Sequence, residues 1–123
     1  MARKIFDQSR IHPAIHANLG GKPERQQTVA EIEAALPRHD IVVVGMKQNP
    51  FPKKARELLD AQGQRYHYME YGSYLSEWKR RLAIKMWTGW ETFPMIFVKG
   101  QFIGGYEDLK ALVDSGELKK LLA

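Results

Sequence analysis

Thr92-Phe93-Pro94-Met95-Ile96-Phe97-Val98-Lys99-Gly100-Gln101-Phe102-Ile103-Gly104-Gly105-Tyr106-Glu107-Asp108 joins two short apolar runs, a turn dipeptide and a glycine pair in one segment. Pro94 to Val98 and Gln101 to Ile103 read as strands, with Lys99-Gly100 as the hairpin turn between them. Gly104-Gly105 breaks the chain, and helical spacing resumes from Asp108-Leu109 through Val113. A further helical stretch, Leu118 to Leu122, is set off by Ser115-Gly116.

Upstream, Ile41-Val42-Val43-Val44 is a continuous β-branched run, the pattern of a strand covered on both faces in a parallel sheet. Asn49-Pro50-Phe51-Pro52 opens a helix that carries Ala55, Leu58 and Leu59 on one face and ends at Gly63. In that start Asn49 suits the N-cap and Pro50 the first helical position. Pro52 falls in the first turn, where N–H groups have no helical acceptor to lose. Arg65 to Glu70 alternates as a second strand, so the order is βαβ, with parallel pairing and a right-handed crossover. Leu75 to Trp87 reads as a helix with Leu75, Trp78, Leu82 and Met86 as one apolar stripe and Lys79, Arg80, Arg81 and Lys85 mostly off it. Trp87 and Trp90 are expected in the core or a groove wall, as is Trp78.

Before the first strand, Thr28-Val29-Ala30-Glu31 has the form of a capping box at the start of a helix ended by Pro37. The polar, breaker-rich tract Gly20 to Gln27 reads as a linker. Ile11 to His16 suits a short helix with Pro13 in its first turn. Residues 1–27 are therefore expected to be an N-terminal extension and residues 28–123 the domain.

The chain of 123 residues suffices for one core, and its 44% hydrophobic and 27% charged content is that of a globular protein. No apolar run is long enough for a transmembrane helix, no h-region follows the basic N-terminus, and the cytosol is the expected compartment. Nineteen Lys and Arg against fourteen Asp and Glu leave a net charge of +5, which suits an anionic partner without naming one. Lys53, Lys54, Arg56 and the stretch Trp78 to Arg81 could form one basic face with Lys47. Nothing resembles a nucleic-acid reading motif, so nucleic acid is not the expected partner. His12 and His16 have the spacing of a helical metal pair, but no third ligand adjoins them and no metal is expected. The serine of Tyr71-Gly72-Ser73-Tyr74 has no accompanying His and acid.

The sequence contains no cysteine. That excludes disulfides, thiolate nucleophiles and Cys-ligated zinc or iron–sulfur clusters within this chain.

Trp90, Thr92-Phe93-Pro94 and the strand after them resemble the Trp-Pro-Thr-Phe-Pro segment of glutaredoxins, with Glu91 in place of its proline. Gly104-Gly105-Tyr106-Glu107-Asp108 resembles their Gly-Gly-x-x-Asp signature, and Ser115-Gly116-Glu117-Leu118 their C-terminal end. The likeness runs from about Thr28 to Leu122 and is strongest to the monothiol type. It implies an α/β thioredoxin fold, a four-stranded mixed sheet flanked by helices, with Pro94 as a cis-proline. The family's active-site turn, Cys-Gly-Phe-Ser or Cys-Pro-Tyr-Cys, aligns with Asn49-Pro50-Phe51-Pro52, so Asn49 and Pro52 occupy its cysteine positions and no catalytic residue remains.

By the same resemblance, glutathione would lie beside that turn. Lys47 and Arg81 match cations that hold its glycine carboxylate, and Phe51 matches the ring beside the thiol. The backbone of Phe93 ahead of Pro94 would face its cysteinyl part. Gly105 and Asp108 match the positions that receive its γ-glutamyl end. A ligand with two carboxylates and one ammonium needs such a set. The expected role is a non-catalytic glutathione-binding or adaptor protein, with glutathione as a reversible ligand and no covalent cofactor. The alternatives are an interaction module that binds an acidic protein or RNA through its basic face, or a residual glutathione-assisted disulfide oxidoreductase.

Overall fold

The computed structural model describes residues 3–123. The elements are α1 (Pro23–Ala35), β1 (Ile41–Gly45), α2 (Pro50–Ala61), β2 (His67–Glu70), α3 (Trp78–Thr88), β3 (Met95–Val98), β4 (Gln101–Gly104), α4 (Tyr106–Ser115) and α5 (Glu117–Leu122). The sheet order is β2-β1-β3-β4; β1 runs parallel to β2 and antiparallel to β3, and β3 is antiparallel to β4. The parallel pair and the hairpin are those expected, and Lys99 and Gly100 both take positive φ (52° and 78°) at the hairpin turn.

Side chains alternate across the strands and so build two cores. Val42, Val44, Met95 and Phe97 pack under α1 and α3 with Ile32 and Ile84. Ile41, Val43, Ile96 and Val98 face α2, α4 and α5 with Leu59, Leu109 and Leu118. Both faces of β1 are covered, which is why its sequence is a continuous apolar run. Gly45 lets α2 start close to the sheet: a Cβ there would lie 2.7 Å from the Cβ of Pro52 and 2.8 Å from the Tyr68 hydroxyl.

Two expectations are corrected. α1 begins at Pro23, inside the tract read as a linker, and the boundary drawn between residues 27 and 28 falls within it. Thr28 is not a cap. It is buried in the helix, where its Oγ1 accepts a hydrogen bond from Arg80 Nε at 2.8 Å. Pro at N1 and Glu24 in the first turn start the helix instead. The Gln26 side chain ties it to the preceding segment through the carbonyls of Leu19 and Gly21. Ahead of α1 lie two 3₁₀ segments, Gln8–Arg10 and Pro13–Asn18; His12 Nδ1 accepts from Ala14 N–H and caps the second, with Pro13 at its start as expected.

The second correction is the rotation of α3. Trp78, Leu82 and Met86 face outward, and Leu75 lies before the helix at 91% exposure. The buried face is Arg81, Ala83 and Ile84, with Trp87 stacked on Phe97 (ring centroids 5.8 Å apart). Small and β-branched residues let α3 approach α1 closely, and the backbone before α3 supplies acceptors for the one buried guanidinium. Among the described residues, no helix is long and apolar enough to cross a membrane.

Candidate functional site

The N-terminus of α2, the Thr92–Pro94 loop and the N-terminus of α4 converge on a groove of about 410 Å³. Its wall includes Asn49, Phe51, Trp90, Phe93, Gly105 and Asp108. The Phe93–Pro94 peptide is cis, as expected.

Asn49 caps α2 as its sequence suggests: Oδ1 accepts from Phe51 N–H at 3.0 Å. Its other amide atom does something the sequence does not disclose. Nδ2 donates to the Phe93 carbonyl at 3.1 Å and bridges the two walls of the groove. Of the three positions that open α2, Pro50 and Pro52 have no N–H and Phe51 has given its own to Asn49. This helix start therefore offers no free first-turn donor to a thiolate or other anion.

The start of α4 is the opposite case. Tyr106, Glu107 and Asp108 occupy its first three positions, each with an N–H that has no helical acceptor. Asp108 Oδ2 accepts from Gly105 N–H at 2.9 Å, which fixes the carboxylate at the groove wall. Gly104, at φ 102°, leaves the space this carboxylate fills: a Cβ there would collide with the Asp108 side chain. An anion-accepting helix end and a carboxylate side by side suit a zwitterion. The rings of Phe51 and Tyr106 meet from α2 and α4 with their centroids 6.1 Å apart and their planes tilted by 46°. The Trp90 indole N–H is buried with no acceptor, its ring packed edge-on against Phe102.

Phe51, Phe93, Pro94, Gly105 and Asp108 are thus brought together. Lys47 lies next door, in a cleft of about 360 Å³ that shares Asn49 and Pro50 with the groove. Lys53 and Arg56 also line it, against one carboxylate, Glu70. Arg81 is elsewhere. It is buried, and its Nη1 donates to the carbonyls of Tyr71 (2.9 Å) and Ser76. Its neighbour Arg80 pairs with Glu31 at 3.0 Å and Glu77 at 3.2 Å. Tyr71 donates to Glu31 at 3.1 Å; burial first, and then that carboxylate, hold its phenol well above the ordinary value. A larger hollow of about 660 Å³ lies at the opposite end of the sheet, among Arg38, His39, Arg65 and Tyr66, and none of the candidate glutathione-binding residues lines it. Sequence reasoning missed Trp90 as an orphan donor and the Asn49–Phe93 bridge. Both depend on partners across the fold, and no local signal marks them.

The glutaredoxin family model matches residues 41–103, from β1 through β4. A glutaredoxin-like protein of Dictyostelium discoideum is 43% identical over 90 residues, covering 73% of this chain and 73% of that protein. Monothiol glutaredoxin-5, mitochondrial, of Schizosaccharomyces pombe is 31% identical over 102 residues, 78% of this chain and 69% of that one. The crystal structure of a buckwheat glutaredoxin–glutathione complex superimposes with a TM-score of 0.70 at 23% identity, over 82% of this chain and 93% of that chain, which shows the shared thioredoxin fold. Fold, family model and relatives agree: this chain belongs to the glutaredoxin family, and it is a member without any cysteine.

Proposed function

We propose that this protein is a non-catalytic glutathione-binding member of its family, acting as an adaptor in the cytosol. The observation that carries the reading is a built and open groove whose catalytic position is filled by an asparagine. The groove keeps Phe51, Phe93, Pro94, Gly105 and Asp108 around it while Asn49 closes the place of the thiol. The solved relative from buckwheat holds glutathione on the same fold.

In this reading the α-amino acid end of glutathione meets α4, its carboxylate at the free first-turn N–H groups and its ammonium at Asp108. The glycine carboxylate reaches toward Lys47. Arg81 is given no part, because it lines neither the groove nor the cleft beside it and its Nη1 is held by two backbone carbonyls. Thiol–disulfide exchange needs a thiolate to attack sulfur, and an amide cannot do so.

Titration calorimetry with reduced glutathione tests the binding. Saturable heat is expected, weakened about tenfold in Asp108→Ala by loss of a charge-assisted contact. No glutathione-dependent reduction of a mixed disulfide should exceed the uncatalysed rate, whereas Asn49→Cys should form a mixed disulfide with glutathione disulfide. Absence of heat at millimolar ligand would overturn the binding, and turnover proportional to protein concentration would overturn the non-catalytic assignment.

A further inference from the structure

A helix packed on a sheet ordinarily turns polar residues to water. The outward face of α3 is apolar instead. Trp78, Leu82 and Met86, spaced by four, are 56%, 44% and 52% exposed. At the α-helical rise they form a ridge about 12 Å long. Around the helix axis Lys79 borders this ridge on its Met86 side and Lys85 on its Trp78 side. Beside the ridge a hollow of about 340 Å³ opens between α1 and α3, lined by Leu19, Val29 and Ala83 and sharing Met86. The ridge thus has an adjoining recess for apolar side chains.

The charge on this face is one-sided. α3 contains four basic residues and no acidic one. Arg80 is answered by Glu31 and Glu77, and Arg81 by two carbonyls. Lys79 and Lys85 form no ion pair among the described residues. Their ammonium groups rest 5.6 Å from the Trp78 ring centre and 5.7 Å from that of Phe93. Three acids stand nearby: Glu77, beside Trp78, is held by Arg80, Glu91 shares a hollow with Lys85 and Met86, and Glu33 lines the hollow between α1 and α3.

A second copy of the chain would bring this face against its own lysines, a like-charge contact that disfavours pairing. A nucleic-acid backbone would satisfy the lysines and leave the ridge bare. An amphipathic helix with apolar residues at spacings of three and four and acids beside them satisfies both. We propose that the outward face of α3 docks an acidic amphipathic helix of a partner protein, with its apolar side along Trp78, Leu82 and Met86 and its carboxylates at Lys79 and Lys85. Trp78 is the anchor, a large exposed ring of the residue type that dominates interface energetics. The ridge residues do not line the groove, whose Phe93 ring Lys85 approaches from the docking face, and docking needs no bound glutathione.

Helical peptides selected from a random display library on the immobilised full chain provide the probe. The selected sequences should carry apolar residues at spacings of three and four with Asp or Glu beside them. Trp78→Ala and Leu82→Asp should each weaken the best peptide by at least about tenfold. The Lys79→Glu, Lys85→Glu double variant should weaken it to a similar degree at low salt and less at high salt. Circular dichroism confirms that each variant is folded; Trp78, Lys79 and Leu82 are exposed, Lys85 is half-buried, and none of the four belongs to either core. Selected peptides without acidic bias, or binding indifferent to all the variants, would overturn the proposal. So would sedimentation showing the parent chain paired with itself through this face, the pairing lost in Leu82→Asp.

Discussion

Asn49 holds two elements with one amide, and the two bonds can be separated. Asn49→Ala removes both the cap on Phe51 N–H and the bridge to the Phe93 carbonyl. A lost N-cap costs about 1 kcal/mol, and a lost partly buried hydrogen bond costs about 1 kcal/mol more. The expected sum is about 2 kcal/mol, which for a domain of this size lowers Tm by about 8 °C. Asn49→Ser keeps an acceptor of nearly equal capping strength but is too short to reach Phe93, so it should lose only the bridge, about 1 kcal/mol. Urea unfolding followed by circular dichroism measures both values. If the alanine variant stays within about 0.5 kcal/mol of the parent, a resolvable minimum set by the usual size of surface effects, then Asn49 neither caps nor bridges. If serine costs as much as alanine, the cap contributes nothing and the reasoning about the α2 start fails.

Arg81→Lys should destabilise the chain by about 2 kcal/mol, because the shorter lysine does not bring its ammonium to the place of Nη1, which serves both carbonyls, and leaves the buried Tyr71 carbonyl unpaired; glutathione affinity, measured by calorimetry, should be unchanged. The Tyr68 phenol is pushed up to about 12 by burial and its bond to Glu70, and that of Tyr71 is raised further by burial and Glu31. These tyrosines keep their protons in the folded state at pH values where the unfolded chain, with ordinary values near 10, releases them. Their stabilisation is therefore complete below about pH 10 and is lost as pH rises through the folded values, by about 1.4 kcal/mol per pH unit for each tyrosine. Tyr71→Phe should make the alkaline fall in Tm shallower by one such contribution, and an unchanged slope would contradict the assignment. S-methyl glutathione should bind as well as glutathione, because the first turn of α2 has no free N–H with which to favour a thiolate; calorimetry showing a strong preference for the free thiol at alkaline pH would refute this.

Most of the sheet was legible because its signals are local. A continuous apolar run marked β1 as buried on both faces, Lys99-Gly100 supplied a turn that tolerates positive φ, and Asn49-Pro50 announced the start of α2. The α1 start was hidden because its first turn is polar on every side and is held by Pro23 and Gln26, while Thr28 a few residues later imitates a cap. The rotation of α3 could not be read from periodicity. Its large apolar residues form a clean stripe, yet Ala83 and the β-branched Ile84 fill the space against α1 and the sheet, and burial of Arg81 depends on carbonyls at Tyr71 and Ser76 that only the folded turn presents. For the same reason the groove was readable from Phe51, Phe93, Pro94, Gly105 and Asp108, whereas the position of Arg81 outside it was not.

The central claim is that a glutathione groove outlasts the thiol it served. Backbone and indole N–H chemical shifts of the labelled chain, followed while reduced glutathione is added, test it most directly. The account predicts saturable shifts at Phe51, Thr92, the Trp90 indole and Gly105 through Asp108, with Lys47 moving at the margin and Leu82 and Met86 on the outward face of α3 unmoved. No saturable change up to millimolar glutathione, or saturation confined to the hollow at Arg38 and Arg65, would contradict it.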